Sequence, residues 1–288
     1  MSDVVTAGEI AAAFLEGCGV EHAFGVTSIH NMPILDGIFR RGRIEFVPAR
    51  SEGGAVNMAD ANARVRGGLG VAVSSTGTAA GNACGAIVEA MTAGTPLLHL
   101  TGQIESAHLD RNKGFIHEAP DQLGMLGAAG KAAFRVWSAE TMLGTLREAV
   151  KLAFTPPMGP VSVEIAIDVQ KQEIPMPANI DPLPVLAPQP AEDAVARLAK
   201  LGFGVVTSVQ GRGVLPGDDP HSLGAFNLQP VVEEFYGTCD AMVVVGSRLR
   251  SNETLTYALG LPQPLFQIDA DPMAEGRSYP VDMFVCGD

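Results

Sequence analysis

A carboxylate stands where a short strand hands over to a helix. In the run Ile44-Glu45-Phe46-Val47-Pro48-Ala49-Arg50-Ser51-Glu52-Gly53-Gly54-Ala55, an apolar stretch is followed by Glu52 and a train of small residues. Ligands of open α/β sheets bind at the carboxyl ends of strands, and Gly53, Gly54, Ala55 and Ala59 would let a flat group come close to the backbone. The same pattern also fits an ordinary first-turn glutamate, favoured by the helix dipole by roughly a few tenths of a kcal/mol. Three further stretches carry glycines and hydroxyls that a core does not require: Gly25-Val26-Thr27-Ser28-Ile29-His30-Asn31, Ser74-Ser75-Thr76-Gly77-Thr78-Ala79-Ala80-Gly81-Asn82 and Thr101-Gly102-Gln103. Each follows a predicted strand, so in a parallel sheet all three would gather with Glu52 on one edge. A glycine-and-hydroxyl loop opening a helix can hold a phosphate. With neither a P-loop lysine nor a G-x-G-x-x-G fingerprint, the loop after residue 74 reads equally well as a plain turn.

The elements that must position these loops alternate. Thr6-Ala7-Gly8-Glu9 has the capping-box form and opens a helix with Ile10, Phe14 and Leu15 as its apolar positions, ending at Gly17 or Gly19. Strands are predicted over 22–26, 44–47, 70–74, 95–100 and 160–165, the fourth turning at Thr101-Gly102, with helices over 32–40, 51–64, 82–93 and 141–154 and a loop over 103–118. Repeated βα units imply a doubly wound α/β architecture, with a mainly parallel sheet covered on both faces. The stretch 175–190 holds Pro175, Pro177, Pro182, Pro184, Pro188 and Pro190 and reads as an extended linker between a domain over 1–174 and a partial one over 191–288. In the second domain a helix over 191–200 is followed by strands over 205–208, 241–246 and 264–269.

Composition excludes several functions. Of 288 residues 47% are hydrophobic and 18% charged, a balance that buries a core. The formal charge of −13, with no basic run, argues against nucleic acid and anionic lipid as partners. No apolar stretch approaches the roughly 20 residues of a membrane span, and Met1-Ser2-Asp3-Val4-Val5-Thr6 lacks the features of a signal peptide, so a cytoplasmic location is expected. Cys18, Cys84, Cys239 and Cys286 lie far apart with no C-x-x-C pair; neither a zinc site nor a disulfide framework is expected, and the cysteines read as reduced, mostly buried hydrophobes.

The order Gly25-Val26, Arg50-Ser51-Glu52-Gly53-Gly54-Ala55, Ser75-Thr76-Gly77 with Gly81-Asn82, Thr95-Pro96-Leu97-Leu98 and Thr101-Gly102-Gln103 resembles the pyrimidine-binding domain of thiamine-diphosphate enzymes of the acetolactate synthase type. Val206-Thr207-Ser208 with Gln210-Gly211-Arg212-Gly213, Leu223-Gly224, Val245-Gly246-Ser247-Arg248-Leu249 and Gln267-Ile268-Asp269 is similar to that family's central domain. The resemblance covers nearly the whole chain. It implies a thiamine-diphosphate-dependent carboligase or synthase acting on a small 2-oxo acid; a decarboxylase or other lyase of the same superfamily, or a non-catalytic scaffold or regulatory half, are the alternatives.

In such enzymes a glutamate protonates the aminopyrimidine ring of the cofactor and favours the imino tautomer that removes the C2 proton. The resemblance gives that role to Glu52, since a glutamine could hydrogen-bond the ring but not exchange a proton with it. It also sets Val26 and the Gly25 backbone along the ring, with Asn82 and the Thr76-Gly77 turn as polar contacts; Asn82 reads equally as a helix N-cap. Where synthases resemble Phe-Gln-Glu in the loop facing the substrate, this chain has Ile116-His117-Glu118, followed by Asp121-Gln122. His117 and Gln122 are therefore the substrate-side candidates, although a loop histidine is also commonly just solvated. Some decarboxylases of the superfamily place a histidine after the third strand; Ser74-Ser75-Thr76 offers only hydroxyls there. His30 and His221 receive no role, and His99, in a predicted strand, reads as a satisfied core histidine.

The family's third domain binds the diphosphate through magnesium, and the chain reaches Asp288 before any such segment. The expectations are that these residues hold no metal, that magnesium enters through that domain or a separate carboxy-terminal chain, and that the chain alone is inactive. The resemblance also implies a strand, glycine-rich turn and helix that the chain lacks at Lys200-Leu201, which leaves FAD binding open. Assembly as a homodimer or homotetramer, with Glu52 at a subunit interface, completes the expectations.

Overall fold

A computed structural model describes residues 4–185, 202–225 and 227–287. The chain divides into two compact units, Met1–Leu186 and Ala187–Asp288. The expected helix over 191–200 and the junction at Lys200-Leu201 lie outside the described residues.

The first unit runs β1 (Val4–Thr6), α1 (Ala7–Gly17), β2 (His22–Gly25), α2 (Met32–Arg41), β3 (Glu45–Pro48), α3 (Glu52–Arg66), β4 (Gly70–Ser74), α4 (Thr78–Ala93), β5 (Leu97–Gln103), α5 (Gln122–Ala129), β6 (Ala132–Val136), α6 (Ala139–Phe154), β7 (Pro160–Ala166), α7 (Ile167–Lys171) and β8 (Glu173–Pro175). Six strands form one sheet in the order β3-β2-β4-β5-β7-β6, every neighbouring pair parallel. Strands β1 and β8 pair antiparallel in a separate ribbon. The doubly wound reading holds, and the cap of α1 forms as its sequence implies: the Thr6 hydroxyl accepts the Glu9 amide at 3.2 Å.

Alternation along the strands divides the core between the two faces. Val71, Val73, Leu98, Leu100, Val161, Val163 and Ile165 pack with Ile10 and Phe14 of α1 and Met142 and Leu146 of α6. On the other face Ala72 and Leu97 meet the small residues of α3 and α4, among them Ala55, Ala59, Ala80 and Ala83, with Ile87 and Leu126. Small side chains let these two helices lie close; a Cβ added at Gly53 would stand 3.2 Å from the Asn82 carbonyl oxygen.

Several elements differ from expectation. Helix α4 begins at Thr78, four residues before the predicted start, because Gly77 takes the cap position without any side-chain cap to mark it. Strand β5 does not turn at Thr101-Gly102 but continues to Gln103, paired throughout with β7. Helix α5 and strand β6 lie between the expected loop over 103–118 and the expected helix over 141–154, where the sequence gives no clear element: α5 is eight residues with two internal glycines and no clear periodicity, and β6 is an edge strand of the sequence Ala-Ala-Phe-Arg-Val.

The buried sheet carries a polar row that its central place would not demand. Ser74, Thr101, Glu164 and Arg135 are register partners across β4, β5, β7 and β6. One step back, His99 pairs in register with Ser162. His99 is fully buried, with Nε2 2.8 Å from the Ser74 hydroxyl and Nδ1 3.1 Å from that of Ser162, the satisfied core histidine its sequence position suggested.

In the second unit, β9 (Val205–Val206) and β10 (Ser222–Gly224) form a parallel pair, and β11 (Met242–Val245), β12 (Leu265–Asp269) and β13 (Met283–Cys286) form a three-stranded parallel sheet in that order. Helix α8 (Pro230–Tyr236) supplies Val232 and Tyr236 to a small core with Leu259. The strand expected over 205–208 shortens to two residues because Ser208 leaves it to accept the Gly211 amide at 3.0 Å. The four cysteines are free, three part-exposed and Cys286 exposed, rather than mostly buried. No helix among the described residues is long and apolar enough to cross a membrane.

Burial pushes the His99 imidazole down to about 4 from 6.5. Its folded form stays neutral while the unfolded chain takes up a proton below 6.5, so its contribution is fully present above pH 6.5 and is lost as the pH falls toward 4. Over that window His99 should account for about 3 kcal/mol of lost stability in urea unfolding. A His99→Gln variant with the same pH slope as the parent would contradict this.

Candidate active site at the carboxyl edge

Leaving β2 the chain turns outward to β3, and leaving β4 it turns the opposite way to β5. The carboxyl ends of β2 and β4 therefore flank the topological switch point, the crevice where ligands of open α/β sheets bind. Strand β2 lies tight against β4: a Cβ at Gly25 would meet the Val73 carbonyl oxygen at 2.5 Å. The Gly25 carbonyl accepts the Ala49 amide at 2.7 Å and the Val26 amide donates to Val73 at 3.2 Å. Beyond β2 the loop is pinned by buried Asn31, whose Nδ2 donates to the Val26 carbonyl and whose Oδ1 accepts the Ser28 amide, both at 2.9 Å. The hydroxyls of Ser28 and Ser75 then meet across the crevice at 2.6 Å.

Glu52 opens α3 at the neighbouring strand end, with Ser51 as cap accepting the Gly54 amide at 3.1 Å. Its side chain is part-exposed and Oε2 accepts the Asn82 amide at 3.2 Å. Asn82 lies in the second turn of α4, exposed, so its N-cap reading is corrected: Gly77 holds that position. Among the described residues no ion pair engages Glu52 and its Oε1 has no hydrogen-bond partner, leaving one carboxyl oxygen for a ligand.

The Thr76-Gly77 turn is buried. Gly77 has φ of 59°, and a Cβ there would lie 2.0 Å from the His117 carbonyl oxygen, so the loop carrying His117 rests directly on the turn. The Thr76 hydroxyl donates to Gln103 Oε1 at 2.6 Å and lies 3.1 Å from Gln122 Oε1, which also accepts the Gly77 amide at 2.6 Å. Gln122, 1% exposed, is thus taken up by protein groups. His117 is exposed at φ 64°, and its ring stands edge-to-face 6.3 Å from that of His30. The Gly102 position admits the His30 backbone: a Cβ there would meet its carbonyl oxygen at 2.2 Å. The His30 imidazole is held below its usual range by burial and by His117. The sequence reading passed over His30, although its place in the loop after β2 puts it on the same edge as Glu52. Among the described residues no group of three His, Cys, Asp or Glu side chains could hold a metal.

Residues 5–125 match the model of the thiamine pyrophosphate enzyme N-terminal TPP-binding domain, and 186–288 that of the thiamine pyrophosphate enzyme central domain. The chain is 28% identical to a "Probable acetolactate synthase large subunit" of Methanocaldococcus jannaschii, over 95% of this chain and 52% of that protein. It is 28% identical to a "Probable 2-ketoarginine decarboxylase" of Pseudomonas aeruginosa, over 99% and 56%, and 26% identical to an "Acetolactate synthase large subunit" of Haemophilus influenzae, over 97% and 55%. The chain spans about half the length of these curated relatives.

Two glycines of α4 and its cap should respond oppositely to alanine. Gly77→Ala forces a left-handed backbone and displaces the His117 carbonyl, and should cost about 1–3 kcal/mol or more. Gly85→Ala, where a Cβ meets nothing within 4 Å, should be neutral or gain up to about 1 kcal/mol in helix propensity. Urea unfolding of the two variants compares them directly; equal stability would show that the turn does not require its glycine.

Proposed function

The chain belongs to the thiamine pyrophosphate enzyme family, carrying its N-terminal and central domains, and from that premise we propose that the full-length protein is a carboligase or synthase of the acetolactate synthase type acting on a small 2-oxo acid. The observation that carries the proposal is Glu52 at the switch-point edge, steadied by Asn82 through one oxygen and free at the other. A carboxyl so placed suits an aminopyrimidine: the Gly25 carbonyl and the Val26 amide are paired within the sheet, leaving the Gly25-Val26 segment to offer apolar surface beside it. When bound, thiamine diphosphate supplies a carbon that adds to the 2-oxo group and accepts the electron pair released there. Glu52 holds and returns the proton of the ring nitrogen at Oε1. Asn82 orients the carboxyl, and the Thr76-Gly77 turn sets the helix that bears Asn82.

On the substrate side, His117 with His30 presents two imidazoles to a small anionic or hydroxyl-bearing group, while Gln122 acts through Gly77. A decarboxylase of the same superfamily is the second reading, favoured by the similarity to a protein named for that activity; analysis of the product, a ligated hydroxy-oxo acid or an aldehyde, separates the two. The diphosphate and its magnesium ion are held, on this reading, outside the described residues, so turnover belongs to the full-length protein. Domain limits of 1–174 and 191–288 joined by the proline-rich stretch 175–190, a homo-oligomer with Glu52 near a subunit interface, and a cytoplasmic location belong to the same reading.

Glu52→Gln in the full-length protein should slow hydrogen exchange at C2 of bound thiamine diphosphate by about 100-fold or more, with an unchanged circular dichroism spectrum. Exchange at the parental rate would remove Glu52 from the mechanism.

A further inference from the structure

Beneath the site, in the polar row, lies a carboxylate that no ligand can reach. Glu164 of β7 is completely buried. Its Oε1 accepts Arg135 Nε at 2.5 Å, and its Oε2 accepts Gln122 Nε2 at 3.0 Å and Gln103 Nε2 at 3.3 Å. These two amides turn their oxygens the other way, onto the Thr76 hydroxyl and the Gly77 amide. Arg135 in turn reaches Asp110 of the loop between β5 and α5, Nη1 to Oδ2 at 2.6 Å, and stacks 5.2 Å over the exposed Trp137 ring.

Stability alone does not explain this arrangement. Withdrawing a carboxylate and a guanidinium from water costs more than their attraction often returns, and packed apolar residues would serve a central sheet at least as well. What the ion pair does uniquely is hold two amide side chains in fixed orientations against a turn that has no cap of its own. Gly77 is the cap residue of α4, and Asn82 of α4 meets Glu52. A continuous set of contacts thus runs from Glu164 through Gln122 to the start of α4, and from there to the carboxyl group at the crevice.

We propose that Glu164 is a positioning residue of the site, fixing the Thr76-Gly77 turn and the loop over 104–121 through Gln103, Gln122 and Arg135. The proposal rests on the reading of the crevice as a cofactor site, but its first test does not need the cofactor. In the full-length protein without ligand, Glu164→Gln should speed amide hydrogen exchange at Gly77 and residues 78–81 by about tenfold or more, the loss expected when one buried hydrogen bond is loosened. It should raise the dissociation constant for thiamine diphosphate with magnesium by a similar factor. The control is Val150→Ala, a buried position on the opposite face of the sheet, compared at a temperature where the two variants are equally stable. A purely structural Glu164 would make the two variants alike.

Should Glu164→Gln fail to fold, Gln122→Ala leaves the ion pair intact, cuts the link to Gly77 and should give the same local loss. Parental exchange at Gly77, or the same change in Val150→Ala, would overturn the proposal. Faster exchange with unchanged cofactor affinity would overturn it too. Failure of the functional reading would look different: the unaltered protein would not bind the cofactor, and the exchange comparison would still decide the positioning role.

Discussion

All six strands of the first unit's main sheet run in one direction, and this parallelism is the constraint from which the site follows. Every strand delivers its carboxyl end to the same edge, so loops distant in sequence converge there: Ser28 after β2, Glu52 after β3, Ser75 and Gly77 after β4. The reversal between β2 and β4 opens a crevice at that edge without removing anything from the core. Small residues are the steric requirement of the arrangement. Gly25, Gly77 and Gly102 each stand where a Cβ would strike a carbonyl oxygen at 2.0 to 2.5 Å, and each contact joins an element of the crevice to its neighbour.

Parallelism also explains where the polar groups are. A central parallel strand is covered on both faces and reads as apolar, yet β5 and β7 place His99, Thr101, Gln103, Ser162 and Glu164 on the face shared with α3, α4 and α5. Buried polar groups of this kind are tolerated because they satisfy one another. The recurrence of polar residues near the strand ends, approaching the crevice, ties the core to the loops above it.

Much of this was legible in the sequence because it rests on local signals. The Thr6 cap of α1, the strand 70–74 and the position of Glu52 at a strand-to-helix junction each depend on a few neighbouring residues, and each appears where those residues place it. What was hidden depends on register. The sequence makes Gln122 a substrate-side candidate, and only the pairing of β5, β7 and β6 reveals that its amide bridges Glu164 and Gly77. Helix α5 escaped because its glycines dilute the helical period, and α4 appeared four residues short because its cap is a glycine held from outside. The approach of His30 to His117 joins loops 87 residues apart (117 − 30), and no local pattern encodes it.

The central chemical claim is that Glu52 keeps the aminopyrimidine ring of the cofactor protonated. Nitrogen NMR of thiamine diphosphate labelled with 15N in its pyrimidine ring, bound to the full-length protein at neutral pH, observes that proton directly. A ring-nitrogen resonance at the position of the protonated base, moving to that of the neutral base in Glu52→Gln, is the expected result. A neutral ring in the unaltered protein, or a protonated ring that persists without the carboxyl, would contradict the role of Glu52.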